Sequence, residues 1–161
     1  QRAGVIGFSL GGGVAMIAAG EHPDWFQSLV TWSSVGDMLA DITASVGQEA
    51  VDTAAAEGVV GLDLGWRTMV LKQAFFDSLD DYDLAALIQQ YPGAYLAVAG
   101  DQDFSAAYAP GFVESAIAEP KELWIVPGGD HIFQTLTEDL TMSDEVIGRT
   151  ADWFAQTLAG Q

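Results

Sequence analysis

The chain has 161 residues, 50 % of them apolar and 17 % charged, which suits one domain or a piece of a larger one, with a sizeable core, and excludes a disordered polymer. Twenty-three acids against five Lys plus Arg give a net charge of −18, so the basic patch that a phosphate backbone or an anionic membrane surface requires is missing. No cysteine is present, which removes disulfides, thiolate metal sites and Cys nucleophiles and leaves the compartment undecided.

In chain order, Ala3 to Gly20 comes first. It carries no charge and follows Arg2, the outline of a signal peptide or membrane span. Six of its 18 residues are Gly, which weakens a membrane helix. The segment reads better as a buried strand, Gly4 to Phe8, a tight turn, and a small-residue helix from Leu10 to Ala19. Gly20-Glu21-His22-Pro23 ends that helix. Ser28 to Trp32 is a second strand. Asp37 to Glu57 is rich in Ala and Asp with weak helical periodicity. Val59 to Leu71 alternates in patches, as a hairpin or an extended arm would. Phe75 to Gln90 is helical in part, with Asp80, Asp81 and Asp83 at a turn.

Pro92-Gly93 is a turn that leads into a third strand, Ala94 to Ala99. Pro110 to Ala118 is a helix with Pro in its first turn, stopped by Glu119-Pro120. Lys121 to Val126 is a fourth strand, and Pro127-Gly128-Gly129 a loop. Ser143 is predicted to cap a last helix, with Asp144 and Glu145 at its positive end. Val146, Ile147, Thr150, Trp153, Phe154 and Leu158 share one of its faces. Strands alternating with helices predict an α/β domain: a parallel sheet of about four strands with flanking helices.

Gly7-Phe8-Ser9-Leu10-Gly11 has the form G-x-S-x-G and lies between a predicted strand and a predicted helix. A sharp turn there crowds the backbone, so small residues are needed two positions either side of the Ser, whose hydroxyl projects above the sheet. A P-loop is excluded because the first Lys is Lys72, and a dinucleotide fingerprint fails at Met16. Such a serine needs a base, and there are two histidines. His22 is carried roughly 15 Å away by the intervening helix, to the opposite end of the sheet. His131 follows the fourth strand, and loops after parallel strands open on one face, so His131 is able to approach Ser9. A carboxylate after an intervening strand completes the set. Asp101 and Asp103 follow the third strand directly, and Asp130 is a third candidate that more naturally faces solvent or a loop amide. The order Ser, Asp, His is that of a Ser-His-Asp triad on a sheet of this kind.

Gly7-Phe8-Ser9-Leu10-Gly11-Gly12, Gly100-Asp101-Gln102-Asp103 and Pro127-Gly128-Gly129-Asp130-His131 together resemble the α/β-hydrolase superfamily. The nearest flavour is its dienelactone-hydrolase-like and serine-peptidase-like esterase branch, although dienelactone hydrolases proper carry Cys where this chain has Ser9. The resemblance implies a serine hydrolase acting on an ester, thioester or amide. Ser9 is then the nucleophile, His131 the base, Asp103 the acid and the Leu10 N–H an oxyanion donor. The stretch 37–79 becomes a cap-like excursion within a single partial domain, 1–161, in which Trp66, Phe75 and Phe76 are candidates for an acyl pocket. The superfamily also places four strands and a second oxyanion donor before the nucleophile strand, so the chain is expected to be the C-terminal half of a hydrolase domain. No cofactor and no metal are expected. The expected partner is a small-molecule acyl substrate, with neither nucleic acid nor membrane. An exposed first strand is expected to favour a homodimer. From a different class, a non-catalytic module of the same fold used for binding or dimerisation is the alternative.

Overall fold

The computed structural model describes residues 2–159. Residues up to Gly36 and from Leu84 onward form one compact unit, and Asp37–Asp83 form a second.

The first unit opens with strand β1 (Gly4–Phe8), helix α1 (Leu10–Glu21) and strand β2 (Ser28–Trp32). The second unit follows, with helices α2 (Met38–Val46) and α3 (Gln48–Glu57), the strands β3 (Val59–Asp63) and β4 (Thr68–Lys72), and helix α4 (Gln73–Leu79). The chain then returns to the first unit with helix α5 (Leu84–Ile88), strand β5 (Ala94–Gly100), a 3₁₀ turn (Phe104–Ala107), helix α6 (Ala109–Ser115), strand β6 (Lys121–Val126) and helix α7 (Thr141–Leu158).

Within the first unit, four strands pair in the order β1-β2-β5-β6, all parallel. Gly4 pairs with Ser28, Ser28 with Ala94 and Tyr95 with Lys121, so the C-terminal ends of all four lie on one edge of the sheet. Every residue of β5 is buried, as befits a middle strand covered on both faces. Alternation sorts its side chains. Leu96 and Val98 join Val30, Val126, Val146 and Trp153 in a core cluster under α7. On the other face the phenol of Tyr95 meets Thr31 Oγ1 at 3.1 Å and donates to Met16 of α1. α1 packs on β1 and β2 and α6 on β5 and β6, with α5 against both helices. The result is a helix–sheet–helix sandwich.

Two sequence expectations need correction. Ser143 does not cap the last helix. Asp139 accepts from the N–H and hydroxyl of Thr141 (3.0 and 2.6 Å), α7 starts at Thr141, three residues earlier than a Ser143 cap would set it, and Ser143 Oγ donates back to Leu140 O at 2.9 Å. The Asp139 carboxyl is held below its usual range by these Thr141 hydrogen bonds. Second, Ile147 is not part of the buried face: it is 54 % exposed, while Val146, Thr150 and Trp153 are buried.

The second unit resolves the patchy stretch after residue 58 as a hairpin, with β3 antiparallel to β4 and Val59 opposite Lys72. Among the described residues no helix is long and apolar enough to cross a membrane.

Candidate active site

The turn from β1 into α1 places Ser9 at φ 55° and ψ −124°, a conformation that side-chain-bearing residues rarely adopt. Its backbone is held on both sides. The Ser9 N–H donates to Trp32 O at 2.9 Å, and the Ser9 carbonyl accepts from the N–H groups of Gly12 (2.9 Å) and Val35 (3.3 Å). A Cβ on Gly7 would overlap the Gly11 carbonyl, and one on Gly12 would lie 2.6 Å from Ser34 Cβ. A Cβ on Gly11 would meet nothing within 4 Å. The need for small residues on either side of the serine therefore applies at Gly7, and on the helix side it moves from Gly11 to Gly12.

The loops after β5 and β6 lie backbone against backbone, since a Cβ on Gly100 would overlap the Gly129 carbonyl. Gln102 N–H donates to Gly129 O at 2.9 Å and Asp101 N–H to Val126 O at 3.1 Å. This contact decides which carboxylate goes where. Asp101 Oδ1 accepts from Gly128 N–H at 2.8 Å and so pins one loop to the other. Asp103 points at the histidine, its Oδ1 3.0 Å from His131 Nδ1. Asp130 Oδ1 accepts from the N–H groups of Ile132 (3.1 Å) and Gln134 (2.8 Å). It thereby holds a loop in which Phe133 and Gln134 both have positive φ.

The second ring nitrogen of His131, Nε2, lies 3.0 Å from Ser9 Oγ. Ser9, His131 and Asp103 thus form one hydrogen-bonded chain drawn from the ends of three strands. The Asp103 side chain is 3 % exposed and that of His131 36 %. His22 is elsewhere, past the far end of α1 and stacked on Trp25 at 3.8 Å between ring centroids. Leu10 begins α1, where first-turn N–H groups have no intrahelical acceptor and aim out of the helix.

Sequence reasoning missed one partner. Ser105 is 1 % exposed, and both its hydroxyl and its N–H (3.4 Å) donate to Asp103 Oδ2. Each carboxylate oxygen of Asp103 is therefore engaged, one by the imidazole and one by Ser105. The available signal was local: an Asp followed two residues later by Ser is a common side-chain-to-backbone turn.

Trp66, Phe75 and Phe76 lie in the second unit and do not share an environment there. Trp66 is 75 % exposed between β3 and β4, with the Arg67 guanidinium 4.5 Å from its ring. Phe76 is buried on α4, edge-on to Phe75 at 5.2 Å. In the first unit an apolar cavity of about 290 Å³ is lined by Phe8 and Ile132, the chain neighbours of Ser9 and His131, and by Trp32, Phe133, Val146 and Ile147, among others. No sequence pattern marked it, because its walls come from four separate segments.

No protein-family model matches the chain, and no curated protein matches it in sequence. Solved structures do match. An esterase domain of a Rhodothermus marinus protein is 23 % identical over 92 % of this chain, with a TM-score of 0.64. A monoacylglycerol lipase of Paleococcus ferrophilus is 16 % identical over 98 %, with a TM-score of 0.72. A dienelactone hydrolase of Anabaena variabilis is 18 % identical over 98 %, with a TM-score of 0.60. The chain spans 60 %, 69 % and 50 % of their respective lengths. The chain has the α/β-hydrolase fold, in part.

Proposed function

We propose that this chain carries the catalytic triad of a serine hydrolase that cleaves a carboxylic ester, or a related thioester or amide, through an acyl-enzyme. The observation that carries this reading is the hydrogen-bonded chain Ser9–His131–Asp103, with Ser9 at a strained strand-to-helix turn. The names of the similar structures, an esterase domain, a dienelactone hydrolase and a monoacylglycerol lipase, support the ester end of the range.

In this mechanism the Ser9 hydroxyl adds to the substrate carbonyl as His131 Nε2 takes its proton. The carbonyl oxygen becomes an oxyanion facing the N-terminus of α1, where the Leu10 N–H donates to it. The tetrahedral species collapses, the bond to the leaving group breaks, and the imidazolium returns the proton to that group. Water then adds to the Ser9 ester, giving its proton to His131, and the second collapse releases the acid and restores the Ser9 hydroxyl. Asp103 keeps Nδ1 protonated so that Nε2 is free to act as base, and Ser105 keeps the Asp103 carboxylate turned toward the ring.

A fluorophosphonate probe tests the reading. Wild type is expected to label at Ser9, and neither Ser9→Ala nor His131→Ala is expected to label. The neighbouring serines make good controls, because Ser33 and Ser34 are buried and only 0 % and 7 % exposed. Label on either of them defeats the assignment of Ser9, and a folded wild type that takes no label defeats the serine-hydrolase reading in favour of a non-catalytic module of the same fold.

A further inference from the structure

Two phenylalanines beside His131 are half exposed, and core packing does not explain them. Phe8 is 43 % exposed and Phe104 45 %. Their ring centroids lie 5.1 and 5.3 Å from that of the imidazole, the first tilted by 44° and the second stacked within 27°. Phe8 immediately precedes Ser9 and Phe104 immediately follows Asp103, so each of the other two triad residues brings a ring to the histidine. We propose that Phe8 and Phe104 are positioning residues for His131, forming an aromatic cradle that fixes the tilt of the ring and stabilises the imidazolium formed during acyl transfer. The proposal rests on the serine-hydrolase reading, since only that chemistry places a transient positive charge on the ring.

The physical basis is the quadrupole of the phenyl ring. Its face is electron-rich, and a cation within about 6 Å of the centroid is attracted to it. Both rings meet that distance. Hydrogen bonds to Asp103 and Ser9 hold the two ring nitrogens at the edge of the imidazole and do not cover its faces. Phe104 stacks within 27° of the ring and Phe8 meets it at a 44° tilt, so both oppose its turning about the Cβ–Cγ bond. The remaining charged groups nearby are otherwise engaged. The Asp130 carboxylate is taken by the amides of Ile132 and Gln134, and the Asp101 carboxylate by Gly128 N–H. Phe8 also lines the apolar cavity, so Phe104 is the cleaner probe.

The test substitutes position 104 in the whole chain and measures the rate of Ser9 labelling by a fluorophosphonate. Phe104→Leu keeps apolar bulk but removes the π face, and it is expected to slow labelling about two- to fivefold. Phe104→Tyr restores the rate, and ring-fluorinated phenylalanines lower it in step with their weaker quadrupole. The two histidines give resolvable ring C–H signals in a carbon–proton spectrum. The His131 signal is expected to move downfield in Phe104→Leu as a ring-current shift is lost. The His22 signal, set by Trp25, stays in place as an internal reference and reports that the fold is intact. Equal rates in wild type and Phe104→Leu overturn the cradle, and so does a Tyr variant as slow as the Leu variant. Wild type that takes no label at Ser9 overturns instead the hydrolase reading, and the cradle's role falls with it. If Phe104→Leu fails to fold, the Tyr and fluorinated series still decide the matter.

Discussion

At the scale of single residues, the two carboxylates after β5 have been separated by one backbone contact. Asp101 and Asp103 stand two apart on the same loop, yet one staples Gly128 and the other meets His131. Asp103→Asn is expected to lower turnover of an ester substrate by roughly 10⁴-fold, because an amide holds the ring in the wrong tautomer. Asp101→Asn should leave most activity, since an amide oxygen still accepts from Gly128. Ser105→Ala sits between them. It removes one hydrogen bond to a charged group, and about a tenfold loss in kcat with unchanged KM is expected. Ser105→Thr, which keeps the hydroxyl, should recover most of it. A larger loss at Asp101 than at Asp103 would falsify the assignment of the acid. A strand-to-helix serine, a histidine after the last strand and three carboxylates near it, Asp101, Asp103 and Asp130, were legible as local strings next to strand ends. Which of these carboxylates meets His131 was not, because Gly100 touching Gly129 is a contact between separate segments.

At the scale of elements, the helix starts show how close competitors are resolved. Asp139 and Ser143 are both capping residue types, four apart, yet Leu140 occupies the cap position of α7. Asp139, one residue before it, binds the Thr141 N–H. Asp139→Ala is therefore expected to lower the thermal midpoint more than Ser143→Ala, as followed by circular dichroism at neutral pH. The Asp139 difference should fade in acid. Its carboxyl is held below the usual range, so its contribution is present above the ordinary carboxylate pKa and disappears as pH falls through the lowered one. The middle strand offers the opposite case. Burial pushes the Tyr95 phenol above its ordinary value, and the folded state keeps the proton when an unfolded tyrosine would lose it. Above about pH 10 the unfolded chain binds fewer protons, so stability is intact below that pH and falls as pH rises beyond it. Tyr95→Phe is expected to flatten the alkaline limb of a stability curve. It should not abolish it, because burial shifts Tyr91 in the same direction. An unchanged slope would remove Tyr95 from the account.

At the scale of the whole molecule, β1 pairs only with β2 among the described residues. Ile6 and Phe8 on it are 45 % and 43 % exposed. A short, apolar strand with an open edge and no Lys or Pro guarding it invites another strand. A net charge of −18 on each copy opposes that approach. The balance is expected to tip with salt, since screening shortens to about 10 Å at 0.1 M. Size-exclusion chromatography of this chain should show a monomer at low ionic strength and growing association at higher ionic strength. Ile6→Lys should suppress that association. A chain that stays monomeric at every salt and protein concentration would show that the edge is guarded by something other than charge.

The sequence by itself determined where the strands of the main sheet lie. Gly4–Phe8, Ser28–Trp32 and Lys121–Val126 are short apolar or alternating runs bounded by turn residues, and that signal depends only on close neighbours in the chain. It likewise determined which residue types were available for chemistry, since one strand-to-helix serine and two histidines leave few arrangements. Tertiary structure alone decided what those groups touch. His131 meets Ser9 across 122 residues and Asp103 across 28. Ser34 crowds Gly12, and Phe8 on β1 and Phe104 in the 3₁₀ turn after β5 converge on one imidazole. Such contacts follow from the strand order and the packing of loops at one end of the sheet. No local pattern encodes them, because they come from the free energy of the whole assembled core rather than the preferences of any one segment.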